Sequence, residues 1–362
     1  MATLLAPRTR LAGPDLARLG PNWYAAVMGT AIVANGAAAL PVDVPGRTGF
    51  AQAVWALSAL LLVVLVGARA VHLRRHRAEA RRQLLDDPAT AVFYGCPPMA
   101  LLAVGFGTLS IGAPLIGAGP ALGADLVLWS VGTLYAVAVA IGIPLLMITR
   151  HRLSVLAANP TWLLPVVAPM VAASLGPALV PHLPAGGARV ALLYGCYALF
   201  GASLLATLLI LPLVFAGLVH GKLPALVLTP TLFLVLGPLG QSTTAVNQLA
   251  DAARTAAPAL AGPATAFAVL YGVAVMGFAM LWLALALAAN LRALKAEMPF
   301  AMTWWAFTFP VGTLVTGAAA LSRHTGFGGF TGLAAGLYVL LLGAWAVAAV
   351  RTAAGVVGGR LL

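Results

Sequence analysis

Long uninterrupted runs of apolar residues dominate the chain, and its charged residues lie between them. Ten runs stand out, at approximately 22–41, 50–68, 92–116, 126–149, 160–181, 190–214, 223–243, 264–290, 298–321 and 328–350, and none holds a Lys, Arg, His, Asp or Glu. A transmembrane helix needs roughly 20 predominantly apolar residues, which each run supplies. Membrane strands would be shorter and would alternate apolar with polar positions; these runs do neither. Helices also satisfy their backbone hydrogen bonds internally, as lipid requires. The pattern predicts an all-α integral membrane protein of ten transmembrane helices. A single domain, 22–350, is flanked by tails at 1–21 and 351–362. Loops of about 5–20 residues join consecutive helices into antiparallel hairpins, and the longest connection, roughly 69–91, is placed to extend helix 2.

Composition and charge add an orientation. The chain has 362 residues, is 62% hydrophobic and 8% charged, with a net charge of +12. Ten spans put both termini on one side, and 16 of the 20 Lys and Arg residues fall there, including Arg8, Arg10, Arg18 and the group from Arg69 to Arg82. Arg47, Arg189, Arg254 and Arg323 fall on the other side. The positive-inside rule makes the richer side, and both termini, cytoplasmic. The same distribution accounts for the basic charge without a nucleic-acid partner. The Arg74–Arg82 cluster is placed to meet anionic lipid headgroups as well. The first 20 residues lack the apolar core of a signal peptide, so helix 1 is expected to serve as an uncleaved targeting signal. With 18 Arg against 2 Lys and heavy Ala use, the composition suggests a GC-rich bacterial genome, hence a multi-pass protein of the bacterial cell (inner) membrane.

Proline and glycine separate odd helices from even ones. Helix 3 carries Pro97, Pro98, Gly105, Gly107 and Gly112; helix 5 carries Pro160, Pro165, Pro169, Gly176 and Pro177. Helix 7 has Pro230, Gly237, Pro238 and Gly240, and helix 9 has Pro299, Pro310, Gly312 and Gly317, whereas helix 2 has neither until Gly67. The odd helices recur every 65–75 residues, as a two-helix unit used five times would. Proline frees a backbone carbonyl, which lipid tolerates only where protein or a water-filled cavity satisfies it. The odd helices are therefore expected to form an inner ring and the even ones an outer layer, with Gly105, Gly176 and Gly237 as candidates for the ring's inner wall.

All eight acids and six histidines fall in tails, loops or span edges. Asp125 is the nearest to a span and reads as an N-terminal helix residue favourable to the dipole. Intramembrane ionisable groups usually mark proton relays, so a classical relay is disfavoured. No cluster has metal-ligand spacing, no Ser–His–Asp set shares one depth, and no motif calls for a cofactor or an enzyme. Cys96 and Cys196 read as apolar packing residues. Hydroxyls, helix N-termini and the field of cytoplasmic cations remain to favour an anion.

Three segments could line a path. In helix 9, Trp305, Phe309, Gly312, Thr313 and Thr316 share a helical face, and Phe309 lies 11 residues into the run, ~17 Å deep. A large apolar side chain there could close a pore by bulk and dewetting, or pack in a core. In helix 1, Ala26, Gly29, Thr30 and Val33 form a small-residue face that serves either close packing or a pore wall. In helix 7, Gly237 to Thr243 form a polar, breakable end that is either a vestibule or a helix terminus.

Those segments carry a resemblance. PNWYAAVMGT in helix 1, CPPM in helix 3, NPTWLLPVVAP in helix 5, PTLFLVLGPLGQS in helix 7 and WWAFTFP in helix 9 make the chain resemble the tellurite-resistance/dicarboxylate transporter family. That family includes bacterial tellurite-resistance channel homologues, fungal malate permeases and sulfite pumps, and plant slow anion channels. The resemblance implies five helical hairpins around a central pore, homotrimers with one pore per protomer, and small anions such as inorganic anions or C4-dicarboxylates as the species passed. It implies a gating phenylalanine on helix 9, which by position is Phe309, with Phe307 the alternative if the register is two residues off. A proton-motive-force-driven exporter of dicarboxylate, sulfite or tellurite-related oxyanions is the alternative activity.

Overall fold

The computed structural model describes residues 19–154 and 157–361. Arg8, Arg10 and Arg18, counted for orientation, lie outside the described residues. Among those residues the chain is helical, with no strand. The main helices are α1 (Tyr24–Ala39), α2 (Arg47–Arg75), α3 (Pro88–Ile116), α4 (Ala118–Thr149), α5 (Pro160–His182), α6 (Gly187–Gly221), α7 (Leu226–Ala256), α8 (Pro258–Lys295), α9 (Met302–Thr325) and α10 (Gly328–Val357). Among the described residues, nine of these, α2 to α10, are long and apolar enough to cross a membrane. α1 is shorter, and with the 3-10 turn Pro21–Trp23 ahead of it it reaches about 28 Å at 1.5 Å per residue, against a hydrocarbon core of ~30 Å.

Odd and even helices differ in construction as well as position. The even helices are single α-helices. Each odd helix includes a 3-10 stretch: Pro21–Trp23 before α1, Val92–Gly95 in α3, Pro160–Trp162 and Gly176–His182 in α5, Leu226–Val235 in α7 and Met302–Phe307 in α9. A missing proline donor disfavours i→i+4 bonding, and short 3-10 segments absorb the defect. Such backbone must be enclosed by protein, and it is. In the most apolar window of each odd helix, 56% (α3), 94% (α5), 78% (α7) and 89% (α9) of residues are buried, against 22–39% in the even helices. In α1, Tyr24 to Ala37 are buried without interruption.

Each odd helix packs on the even helix that follows it, which gives five hairpins, and the odd helices contact one another in a closed ring, α1–α3–α5–α7–α9–α1. The inner ring and outer layer expected from proline and glycine are the observed arrangement. The even helices expose many large apolar side chains, such as Leu134, Leu209 and Leu270, the surface expected where lipid is the solvent.

Two charged side chains are buried, the first of them against the sequence expectation. α4 begins at Ala118, so Asp125 stands two turns inside the helix and is buried beside Gly105 of α3, one of its carboxylate oxygens lacking a partner. Dipole stabilisation fades within the first turn and does not explain it. Arg69 is not a surface cation either. α2 continues through it to Arg75, and its buried guanidinium donates to the Leu19 carbonyl, to Gln83 Oε1 at 3.1 Å and to Tyr94 Oη at 2.8 Å. It thereby ties the entry to α1, the connecting helix Arg77–Leu85 and the start of α3 together. Replacing Arg69 by Met is expected to lower stability by about 2–3 kcal/mol, the scale of hydrogen bonds to a charged donor. Thermal unfolding in detergent checks this; an unchanged midpoint would show that the three acceptors find other donors.

Candidate functional site

Two cavities lie on the axis of the ring, and every residue that lines them comes from an odd helix. The larger, of about 260 Å³, sits among the C-terminal halves. The smaller, of about 20 Å³, sits among the N-terminal halves. Phe309 borders both and is itself 3% exposed. A liquid water occupies ≈ 30 Å³ and needs at least ~10–15 Å³ of cavity. The larger cavity therefore has room for several waters, and the smaller one for at most one.

Helical periodicity explains how each odd helix reaches both cavities. α1 contributes Met28 below and Ile32, Asn35 and Ala39 above, at i, i+4, i+7 and i+11. α3 repeats the spacing with Met99, then Ala103, Phe106 and Ser110. α5 gives Leu163, Leu164 and Val167 below and Leu175 above; α7 gives Leu234 and Gly237 below and Gln241, Thr244 and Gln248 above. In α1, α3, α7 and α9 one stripe thus runs from apolar to polar, whereas the α5 stripe stays apolar up to Leu175. The lower wall is wholly apolar, while the upper carries amides, hydroxyls and, among the described residues, one ionisable group, Arg323.

Local backbone sets the position of Phe309. α9 is not one continuous helix: the 3-10 segment ends at Phe307, Thr308 breaks the run, and an α-helix starts at Phe309 with Pro310 in its first turn. The break disperses the face assigned to helix 9 from sequence. Trp305 turns away and donates to Thr352 Oγ1 of α10 at 2.9 Å. Phe307 leaves the axis and meets Phe233 edge-on at 4.8 Å. Gly312 abuts Ile32, and Thr313 is buried against α7, donating to the Pro310 carbonyl at 2.7 Å. Thr316 borders the upper cavity, 2.8 Å from the Thr244 hydroxyl.

Of the other wall candidates, Gly237 borders the lower cavity. Ala26 and Thr30 face a different, lipid-side groove, where Thr30 accepts from Trp345 Nε1 at 3.2 Å. Gly29 packs on Trp305 and Thr308, and the Val33 carbonyl accepts from Tyr338 Oη at 3.0 Å. The α1 face chosen for its small residues is therefore the packing face, and the axial face lies roughly 140° around the helix at 3.6 residues per turn. Gly105 accommodates Asp125 and Leu128 of α4, and Gly176 accommodates Cys196 and Trp129. These glycines let the outer layer approach the ring; they do not line its centre. Gln241 belongs to the segment from Gly237 to Thr243 offered as a vestibule or a helix terminus; the segment lies within α7 and is not its end. Sequence reasoning missed Met28, Asn35 and Met99. The available signal was the shared i, i+4, i+7, i+11 stripe that joins a methionine to a polar residue.

The upper polar groups are partly satisfied. Asn35 Nδ2 donates to the Ala103 carbonyl at 3.1 Å, and Gln241 Nε2 donates to Ser174 Oγ. The carbonyl oxygens of both amides are buried without a donor. Among the described residues no three His, Cys, Asp or Glu side chains are placed to hold a metal ion. The arrangement provides a polar chamber closed at its base by one aromatic ring.

Comparison with known proteins agrees with that geometry. Residues 18–353 match the voltage-dependent anion channel family (SLAC1). The chain is 28% identical to a sulfite efflux pump of Arthroderma otae over 313 residues, which cover 84% of this chain and 82% of that protein. It is 27% identical to a sulfite efflux pump of Trichophyton rubrum over the same shares. With an uncharacterised transporter of Methanocaldococcus jannaschii it shares 24% identity over 92% of each chain. The match runs through all five hairpins, and the chain belongs to the voltage-dependent anion channel family, whose members carry anions across membranes and are not enzymes.

Proposed function

We propose that this protein passes small anions along the axis of its five odd helices and that Phe309 closes the path. The observation that carries this reading is the position of Phe309, which separates a polar chamber of about 260 Å³ from an apolar one of about 20 Å³. In the proposal, α1 is the tenth crossing, the Lys/Arg-rich ends with both termini face the cytoplasm, and the upper cavity opens outward. A bacterial cell membrane as the site and a homotrimer with one path per protomer complete the proposal.

A specific observation favours a second reading, coupling to the proton-motive force: two relatives are named sulfite efflux pumps. The substrate could carry the proton, so the absence of a relay on the axis does not oppose this. An ion-replacement series on purified protein in liposomes separates the two, with voltage and pH gradients imposed independently. Anion flux that follows voltage at equal pH is the expected result. Flux that follows only the pH gradient supports the exporter, and no anion flux under either gradient defeats both.

A further inference from the structure

Arg323 sits near the end of α9, at the rim of the upper cavity. The carboxylate that could neutralise it is Asp251 of α7, which contacts His324, the next residue along α9. Asp251 is engaged elsewhere. Its Oδ1 accepts from His324 Nε2 at 2.9 Å and lies 3.8 Å from Arg254 Nε. Among the described residues Arg323 forms no ion pair. Its guanidinium is thus available to the cavity. Below it on the wall are Gln248, Thr316, Thr244 and Gln241.

The volume and the donor type together narrow the ligand. A chamber of about 260 Å³ is several times the ≈ 30 Å³ share of one water, so it suits a polyatomic anion that keeps part of its hydration. A guanidinium presents a planar fork of N–H groups that fits two oxygens of one anion, an advantage a spherical halide cannot use. We propose that Arg323 recruits small oxyanions to the upper cavity and discriminates them from halides, and that the His324–Asp251 hydrogen bond keeps Asp251 from neutralising Arg323. This rests on the anion-path reading and adds a specificity residue to it.

The test is calorimetric titration of the purified full chain in lipid nanodiscs with sulfite, and separately with chloride, at low ionic strength. Wild type is expected to bind sulfite more tightly than chloride. Arg323→Gln is expected to weaken sulfite binding about tenfold, the size of one charge-assisted hydrogen bond, and to leave chloride less affected. His324→Ala should weaken sulfite binding, because Asp251 is then free to turn to Arg323. Adding Asp251→Asn to His324→Ala should restore binding, a rescue that simple loss of packing would not give. Sulfite binding that is absent in wild type, or unchanged in Arg323→Gln, overturns the proposal. Liposome flux through Phe309→Ala separates this failure from that of the parent reading. Anion flux without Arg323-dependent binding leaves the path and removes the site. Arg323-dependent binding without flux in any variant leaves the site and removes the path.

Discussion

Phe309→Ala raises anion flux through the reconstituted protein on the order of tenfold or more, each tenfold corresponding to 1.4 kcal/mol of barrier. The ring fills the only step between the two axial cavities among the described residues, and the wall below it is Met28, Met99, Leu163 and Leu234. An apolar constriction of that kind excludes water before it excludes an ion. Truncation to a methyl group joins the chambers and lets water continue through. Phe→Ala in a core commonly costs about 3–5 kcal/mol. The lower end is expected here, because Phe309 has a cavity on each side and fewer packing partners to lose.

Two controls make the result specific. Phe309→Leu keeps an apolar side chain at the step and should change flux little. Phe307→Ala removes a ring of similar size that packs off axis on Phe233 and Trp304. It should lower stability without opening the path. Flux that rises in Phe307→Ala and not in Phe309→Ala would place the gate two residues away and defeat the assignment.

The second large effect separates two glycines three residues apart. A Cβ on Gly240 would stand 2.6 Å from the Leu314 backbone nitrogen, whereas a Cβ on Gly237 meets nothing within 4 Å. Backbone cannot turn aside as a side chain does, so Gly240→Ala must part α7 from α9. The expected cost is about 3 kcal/mol, at the upper end for overpacked cores. Gly237→Ala is expected to be neutral or to stabilise by up to about 1 kcal/mol through helix propensity. It also adds a methyl group to the cavity beneath Phe309, so flux in the Phe309→Ala background should fall. Thermal unfolding of both variants in nanodiscs, followed by liposome flux of the double variant, reads these outcomes. Equal stability of the two variants would mean that the α7–α9 approach is looser than described.

Much of the fold was legible in the sequence because lipid imposes a strict rule. Apolar runs without charge must be helices, and prolines spaced along alternate helices must be enclosed. The ring of α1, α3, α5, α7 and α9 follows from those two facts, and the structure has that ring. The candidate wall was far less legible. Small residues such as Gly29, Gly105 and Gly176 mark where helices touch, and touching occurs on every side of an enclosed helix. Composition therefore identified the enclosed helices without telling their axial face from their packing faces. Asn35, Ser110 and Gln241 carried that information, since a polar side chain on an enclosed helix needs a partner or a cavity.

The charge arrangement divides along the same line. Hydropathy, charge counts and proline spacing were enough to establish that the chain spans a membrane, that its Lys and Arg favour one side, and which helices lie inside. Each is a property of a whole segment, fixed by the transfer of many side chains between water and lipid. It took the packed helices to show that Asp125 and Arg69 are buried, that Phe309 rather than Phe307 meets the axis, and that Arg323 borders the upper cavity without an ion pair among the described residues. Those outcomes depend on the rotation of single helices and on one break at Thr308, and a rotation of about 100° per residue leaves the hydropathy of the segment unchanged.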